Sequence, residues 1–315
     1  MSNIPLVSII IPTFNRAHLI LETIESILNQ SFNNWECIVV DDSSTDGTEE
    51  LLWEYFQKDK RLQFHKRPEN FKKGANSCRN YGFEQSTGEY LIWFDSDDLM
   101  TPDHIAVKVD VITNAKKDFV VAQTANFKDG ILMKPYKYDQ KEYGIKASDF
   151  ILSKIHWYTY DILLTRLIAQ KLRWNEEMKS WQDYNYFCKM LLETENGSYI
   201  EKVVTHRRLH SQSIQSNLTR TIKDFNQELL ENRLLTFYDI QVSIDTFTRM
   251  ELVNGMMNLC YEIGKSGRFS MHCGEVSKIV KKEMSLKSSF LFLLSILVVS
   301  IFGRGYILLS MAKRK

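Results

Sequence analysis

The sequence predicts an α/β fold in which helices flank a mostly parallel central sheet. Short apolar runs alternate four times with helical patterns between residues 6 and 105, which is typical of parallel strands joined by crossover helices. The first run is apolar throughout, as expected of a strand buried on both faces of a sheet. Two later runs end in clustered aspartates, at the strand ends where open α/β sheets bind ligands.

The first strand is predicted at residues 6–11, LVSIII, and it ends in the turn Pro12-Thr13-Phe14-Asn15-Arg16. Residues 20–28 then place their apolar side chains on one face of a helix. The turn lacks the Gly-x-Gly-x-x-Gly pattern, and no Gly-x-x-x-x-Gly-Lys-Ser/Thr occurs in the sequence. A dehydrogenase-type dinucleotide fold and a P-loop are therefore not expected.

The next two strands are predicted at residues 36–40, ECIVV, and at residues 61–65. The first of them runs into Asp41-Asp42 and a turn rich in Ser, Thr, Asp and Gly. A helix with inward Leu, Tyr and Phe side chains separates the two strands, and residues 74–85 predict another helix.

The fourth strand carries the most informative stretch, Tyr90-Leu91-Ile92-Trp93-Phe94-Asp95-Ser96-Asp97-Asp98. Five apolar or aromatic residues lead directly into three carboxylates, which repel one another unless a cation neutralises them. Carboxylate oxygens suit Mg²⁺ or Mn²⁺, which complete their shells with substrate phosphates and water. The alternative is an acidic helix cap, because Thr101-Pro102-Asp103 resembles a helix start.

Composition excludes several classes of protein. Among 315 residues, 44% are hydrophobic and 25% are charged, as in ordinary globular proteins, and the formal net charge of +1 gives no overall attraction to nucleic acid. The five cysteines form no Cys-x-x-Cys pair, so neither a disulfide framework nor a zinc site is expected, and a reducing cytoplasm suits them. The N-terminal apolar run is too short for a signal peptide.

The C-terminal part changes character twice. Residues 218–285 read as a helical extension, whereas residues 286–315 are apolar with basic ends. The run at 288–302 is shorter than the roughly 20 residues that span a bilayer. We expect a helix or helical pair lying on the inner face of the cell membrane, with its basic residues at anionic lipid. A buried helix that closes the domain, or a dimer contact, is the alternative.

Three ordered segments carry a family resemblance. The stretches VSIIIPTFNR, QSFNNWECIVVDDSSTDGT and GANSCRNYGFEQSTGEYLIWFDSDD resemble the nucleotide-binding half of family 2 glycosyltransferases. The resemblance is close over residues 6–105 and looser to about residue 215. It implies a GT-A fold over residues 1–217, divided into a nucleotide-sugar half at 1–105 and an acceptor half at 106–217. It also implies an inverting transfer of sugar from a UDP-sugar, with Mg²⁺ or Mn²⁺, to a hydroxyl of a glycan or lipid-linked glycan.

The resemblance assigns the donor side of the site. Phe14 matches the position that contacts the base, Asp42 the acceptor of the uracil N3–H, and Asp95 and Asp97 the pair that holds the cation and contacts ribose and diphosphate. The complete set of implied donor-binding residues is Pro12, Thr13, Phe14, Asn15, Arg16, Asp42, Arg79, Asn80, Asp95 and Ser96. For each of Phe14, Asp42 and Arg79, a purely structural role (core, turn or surface charge) remains open.

The resemblance also assigns the acceptor side. Asp183 occupies the position of the catalytic base, although the family usually has Glu-Asp where this chain has Gln182-Asp183. His210 matches a histidine that can reach the metal or diphosphate. A helix-terminal carboxylate for Asp183 and a structural histidine for His210 are the alternatives.

Three other functions compete with sugar transfer. The Gln182 departure leaves open a nucleotide-sugar-binding protein without turnover. A related α/β sheet could serve a nucleotidyltransferase, which would release pyrophosphate. The apolar tail leaves open a membrane scaffold without enzymatic activity.

Overall fold

A computed structural model describes residues 4–128, 130–135, 143–209, 222–267 and 269–313. The chain divides into two compact units. The first comprises residues 1–150 and 154–216, and the second comprises residues 151–153 and 217–315.

The first unit alternates strands and helices along its N-terminal half, as the sequence predicts. Its strands are β1 Val7–Thr13, β2 Trp35–Asp41, β3 Leu62–Lys66, β4 Tyr90–Trp93, β5 Leu99–Met100, β6 Phe119–Lys128, β7 Ile131–Pro135, β8 Ile162–Thr165 and β9 Gly197–Arg208. Its helices are α1 Ile20–Leu28, α2 Thr48–Lys58, α3 Ala75–Gln85, α4 His104–Asn114, α5 Ala147–Ile151, α6 Arg166–Ala169 and α7 Gln182–Glu193.

The strands form one sheet in the order β3-β2-β1-β4-β8-β6-β9-β5, with β7 paired to β6. Strands β1 to β4 pair in parallel. Beyond β4 the sheet is mixed, because β8 runs antiparallel to both neighbours and β5 runs antiparallel to β9. The predicted parallel sheet is therefore confirmed for the first half only. Local apolar patterns cannot reveal the mixed half, since strand direction is set by long-range pairing.

The core lies on both faces of the first strands. Every residue of β1 and β2 is buried, which agrees with their unbroken apolar runs. Helix α3 packs unusually close to β1, because a Cβ on Gly82 would lie 2.6 Å from the Ile10 side chain. This close approach fixes the helix that carries Arg79 against the sheet.

The second unit is helical in its described residues. Its helices are α8 Ile222–Ile240, α9 Thr246–Gly264, α10 Cys273–Glu283, α11 Leu286–Phe302 and α12 Tyr306–Lys313. The last two form the helical pair that the sequence predicts, joined through Gly303 and Gly305, both at positive φ. Among the described residues, no helix combines the length and the apolarity needed to cross a membrane.

Candidate active site

The predicted donor residues converge at one edge of the sheet. Strands β1, β2 and β4 are parallel neighbours, so their carboxyl ends lie side by side. Three segments therefore meet at the same edge: 13–16 at the end of β1, 41–42 at the end of β2, and 95–98 after β4. The four aspartates that matter most in the sequence, Asp42, Asp95, Asp97 and Asp183, all lie in the first unit.

The loop after β1 is fastened to the loop after β2. Asn15, at φ 51°, donates its backbone N–H to the Ser44 hydroxyl at 2.8 Å, and its side-chain oxygen accepts from the Thr45 N–H at 2.9 Å. This bracing presents the Phe14 ring outward, 41% exposed. The Lys73 ammonium lies 4.5 Å from the ring centroid. A half-exposed aromatic face at a strand end can stack on a planar base.

Asp42 is buried and paired with a residue that the sequence does not single out. One carboxylate oxygen accepts from Arg67 Nε at 2.5 Å, and Arg67 also donates to the Phe71 carbonyl at 2.5 Å. Asp41 instead braces its own turn, because its side chain accepts from the Ser44 N–H at 2.9 Å. The guanidinium thus holds Asp42 in a fixed orientation, whereas Asp41 is committed to the backbone.

The turn after β4 at residues 95–98, which we call the carboxylate turn, brings three carboxylates close together. Asp95 pairs with Arg79 at 2.9 Å, and Asp97 lies 3.6 Å from Arg16 Nε. Asp98 turns inward, where its carboxylate accepts from the Arg208 N–H at 2.8 Å. Burial raises the pKa of Asp98 well above its ordinary value, and the charges of Asp97 and Asp95 raise it further. The neighbouring carboxylates repel one another when ionised, and a bound cation would relieve that repulsion.

Arg79 connects the carboxylate turn after β4 with helix α7. Its Nη2 donates to Asp95 at 2.9 Å, while its Nη1 donates to the Gln182 side-chain oxygen at 2.8 Å. The guanidinium lies 4.6 Å from the centroid of the Trp174 ring and is itself buried. The planar guanidinium group therefore connects the carboxylate turn with the first residue of α7. Two N–H donors in fixed directions suit this geometry, and lysine does not provide them.

Asp183 stands in the first turn of α7. The helix begins after Trp181, which adopts a left-handed conformation at φ 55°. Burial raises the pKa of Asp183 to about 6, the charge of Asp95 adds to the rise, and the Tyr184 N–H and Arg79 counteract it. A carboxylate with a pKa near the operating pH is suited to accept a proton.

The remaining predicted donor residues, Pro12, Thr13, Asn80 and Ser96, are buried. Ser96 and Thr13 are buried in the turns that carry the site. The Asn80 amide is engaged with Trp174 and Glu176, at 2.8–3.0 Å, so it braces the segment leading to α7. Trp174 is buried, whereas Trp181 is 37% exposed and offers an aromatic surface beside Asp183.

The carboxylate turn suits a cation that is bound jointly with a phosphate ligand. Within the described ranges, no cluster of three or more His, Cys, Asp or Glu side chains could hold a metal ion. The predicted ligand His210 lies outside the described residues. Mg²⁺ and Mn²⁺ often take only one or two protein carboxylates and complete their shells with phosphate and water. Asp95 and Asp97, placed on one charged turn, fit that mode.

The sequence analysis missed Arg67 as a site partner and assigned no contact to Arg208. Arg67 follows β3 directly, and its position just past a parallel strand end was the available signal. Arg208 stands two positions before His210 in the segment that resembles the family's Arg-x-His-x-x-Ser. In the structure its backbone N–H donates to the Asp98 carboxylate and its Nε donates to the Asp97 carbonyl. Neither pairing is readable from local sequence.

Comparisons with known proteins point to one family. The profile of Glycosyl transferase family 2 matches residues 8–188. A glycosyltransferase of Rickettsia typhi without assigned activity is 30% identical over 70% of this chain and 69% of its own length. The Campylobacter jejuni GalNAc(5)-diNAcBac-PP-undecaprenol beta-1,3-glucosyltransferase is 31% identical over 55% of this chain and 56% of its own length.

A solved structure gives the same architecture. The Staphylococcus aureus TarS fragment 1–349, crystallised with UDP, superposes with a TM-score of 0.62 at 19% identity, covering 90% of this chain and 80% of that one. The fold is that of the GT-A glycosyltransferases, as the resemblance implied. With the family profile spanning more than half of the chain, the protein belongs to glycosyl transferase family 2.

Proposed function

We propose that this glycosyltransferase moves a sugar from a UDP-sugar to a hydroxyl group of a cell-surface glycan, with inversion at the anomeric carbon. The observation that carries the proposal is the Arg79 bridge between Asp95 and Gln182. Its support is that one guanidinium contacts both Asp95, proposed to face the donor phosphates, and Gln182, which precedes the proposed base Asp183 in the first turn of α7. Donor activation and acceptor deprotonation can therefore take place in one cleft.

The donor half holds the nucleotide by shape and charge. Phe14 stacks on the uracil ring, and Asp42, held by Arg67, accepts the hydrogen bond from the uracil N3–H. A buried carboxylate at this point favours a base that carries an N–H donor. The pyrophosphate lies toward Arg16 and Arg79, whose guanidinium groups balance its negative charge.

The chemical step is a single displacement. Asp183 removes the proton of the acceptor hydroxyl, whose oxygen forms a bond to the anomeric carbon as the bond to the UDP oxygen breaks on the opposite face. The proton remains on Asp183 and passes to solvent, and the electron pair of the broken bond leaves with UDP. Asp95 and Asp97 would hold Mg²⁺ or Mn²⁺, which supplies charge stabilisation for the departing diphosphate.

The acceptor class is proposed from a relative and from the tail. The Campylobacter jejuni relative is named for a substrate on a PP-undecaprenol carrier, and we extend that class, a lipid-linked glycan, to this chain. Helix α11 presents Phe290, Leu293, Leu297 and Ile301 as exposed apolar side chains. After Glu283 the sequence contains no acidic residue and five basic ones. That combination suits contact with the anionic inner face of a membrane.

The experiment combines binding with product analysis. Thermal unfolding is followed with UDP-, GDP- and dTDP-sugars, each with and without Mn²⁺, and products are then analysed with lipid-linked glycans. We expect the largest stabilisation from a UDP-sugar with Mn²⁺, and release of UDP when the acceptor is added. Release of pyrophosphate from a nucleoside triphosphate would support a nucleotidyltransferase. Stabilisation by a donor with no transfer to any acceptor would support a binding protein.

A further inference from the structure

Three ionisable side chains of the first unit are fully buried and belong to no predicted site. His104 and Lys108 lie on α4, one turn apart, and Asp161 ends the helical turn Thr159–Asp161; each of the three is 0% exposed. Burying ionisable groups in a protein interior costs free energy, and apolar residues of similar volume are often at least as stable in their place. Stability alone therefore does not account for this cluster.

Lys108 bridges two separate elements by hydrogen bonds. Its Nζ donates to His104 Nε2 at 2.9 Å and to the Tyr160 carbonyl at 2.8 Å. The other ring nitrogen settles the direction, because His104 Nδ1 lies 2.9 Å from the Val204 carbonyl, which can only accept. Burial and the charge of Lys108 lower the pKa of His104 well below its ordinary value. The neutral ring therefore donates from Nδ1 and accepts from Lys108 at Nε2.

Asp161 fixes the helical turn to the sheet beside this bridge. One carboxylate oxygen accepts from the Thr124 hydroxyl of β6 at 2.5 Å, and the other accepts from the Tyr158 N–H at 2.8 Å. The Tyr160 carbonyl that binds Lys108 lies within the same helical turn. Lys108 is thus attached to an element that is itself held in place.

The two residues that Lys108 joins both pack on the residue before the carboxylate turn. The centroid of the Phe94 ring lies 5.7 Å from that of His104 and 6.2 Å from that of Tyr160, and both contacts are edge-to-face. Phe94 immediately precedes Asp95 in the chain. The bridge through Lys108 therefore connects two of the rings that hold the start of the turn.

The same cluster is attached to the end of the turn. The Val204 carbonyl that binds His104 also accepts from the Thr101 N–H at 2.9 Å. Thr101 directly follows β5, which pairs with β9 just beyond the carboxylate turn. Residues 95–98 are therefore held at their entry and at their exit by groups that the Lys108–His104 pair connects.

We propose that Lys108 is a positioning residue for the carboxylate turn. Its bridge between His104 and Tyr160 fixes the ends of the turn and thereby the separation of Asp95 and Asp97. This inference rests on the proposed function, in which those two carboxylates would hold Mg²⁺ or Mn²⁺. Residues that orient metal ligands without touching the metal typically change metal affinity about 10- to 100-fold when they are replaced.

Hydrogen exchange in the full chain tests the positioning without metal or donor. Lys108→Met keeps an unbranched side chain and removes both donated hydrogen bonds. Ile112→Val is the matched control, because Ile112 is buried on the same helix and is apolar. We expect the amides of residues 94–101 to exchange about tenfold faster in Lys108→Met and at the wild-type rate in Ile112→Val. The amides of β2 should exchange at the wild-type rate in both variants.

Metal-dependent binding of UDP gives a second readout. Mn²⁺ is titrated into each protein in the presence of UDP, and the binding of UDP without Mn²⁺ is measured separately. In Lys108→Met we expect the Mn²⁺ concentration at half-saturation to rise about tenfold, since the two carboxylates are no longer held at a fixed separation. The affinity for UDP without Mn²⁺ should match the wild type, and Ile112→Val should match it in both measurements.

Three outcomes would overturn the proposal. They are wild-type exchange of residues 94–101 in Lys108→Met, the same acceleration in Ile112→Val, and an unchanged Mn²⁺ half-saturation in a folded Lys108→Met protein. Where Lys108→Met does not fold, His104→Asn replaces it, because the shorter amide lacks the Nε2 acceptor, and the same two effects are expected. A wild type whose UDP binding does not respond to Mn²⁺ would contradict the proposed cation site, whereas the exchange measurement still decides whether Lys108 holds the turn.

Discussion

Replacing Asp183 by asparagine should abolish sugar transfer and make the protein more stable. The two effects share one cause. Partial burial beside Asp95 raises the pKa of Asp183 from 3.8 to about 6, so at neutral pH the fold holds a charge that it disfavours. Asparagine keeps the shape and removes the charge. Asparagine cannot remove the proton from the hydroxyl group of the acceptor. Loss of a general base typically lowers the rate about 10²- to 10⁴-fold.

The size of the stability change follows from the pKa. Because folding raises the pKa of this carboxyl group, the free energy of unfolding falls as the pH rises from about 4 to about 6. The loss of stability persists above that range. The rise from 3.8 to about 6 corresponds to about 3 kcal/mol when the group is fully ionised. Solvent contact of the partly exposed side chain reduces this, and we expect about 1–2 kcal/mol. That gain raises the midpoint of thermal unfolding by roughly 2–8 °C at pH 8.

The assay compares Asp183→Asn with Asp110→Asn, a change at an exposed carboxylate of α4. Thermal unfolding is followed at pH 8 and pH 4.5, and UDP release is measured with saturating donor. We expect the stability gain at pH 8 only, and none for the control. A role as a plain helix-terminal carboxylate predicts the opposite sign, a loss of about 0.3–1 kcal/mol on substitution. A destabilised variant that retains turnover would refute the assignment of Asp183 as the base.

Three further outcomes are expected. Arg79→Lys should lower transfer about 10- to 100-fold, because an ammonium cannot bridge the carboxylate turn and α7, whereas Arg173→Lys, at a surface ion pair, should leave it unchanged. Asp97→Asn should remove most of the Mn²⁺-dependent stabilisation by donor seen in thermal unfolding, and Asp103→Asn should not. Burial lowers the pKa of Lys108 to about 7. As the pH rises, Lys108 therefore loses its proton at a lower pH in the folded state than in the unfolded state. Stability should therefore rise between pH 7 and pH 9, and Lys108→Met should flatten that rise in denaturant titrations.

Much of the donor half can be read from the sequence because its determinants are local. An unbroken apolar run such as residues 6–11 can be satisfied only by a strand buried on both faces. The aspartates that follow β2 and β4 must then stand at a shared edge, since parallel strands end together. The second half was less predictable, because β8 and β9 join the sheet through long-range pairing that no local pattern encodes.

Individual residues show the same division. Asp42 and Asp41 are adjacent and chemically identical, and only the fold shows that Arg67 holds one while the Ser44 N–H binds the other. Trp174 and Trp181 are the same residue type and both precede Asp183 closely in the sequence, but Trp174 is buried and Trp181 is exposed. Burial of a single aromatic side chain depends on what packs against it, which its neighbours in sequence do not determine.

By itself the sequence determined the order of the elements, the family and the strand ends at which the chemistry is expected, because those follow from local polarity and turn composition. Only the tertiary structure decided which charges meet. Arg79 and Gln182 are 103 positions apart, and Arg67 and Asp42 are 25 apart. Ion pairs act over a few ångströms in space, so a partner this distant in sequence becomes a partner only after the sheet has brought the two segments together.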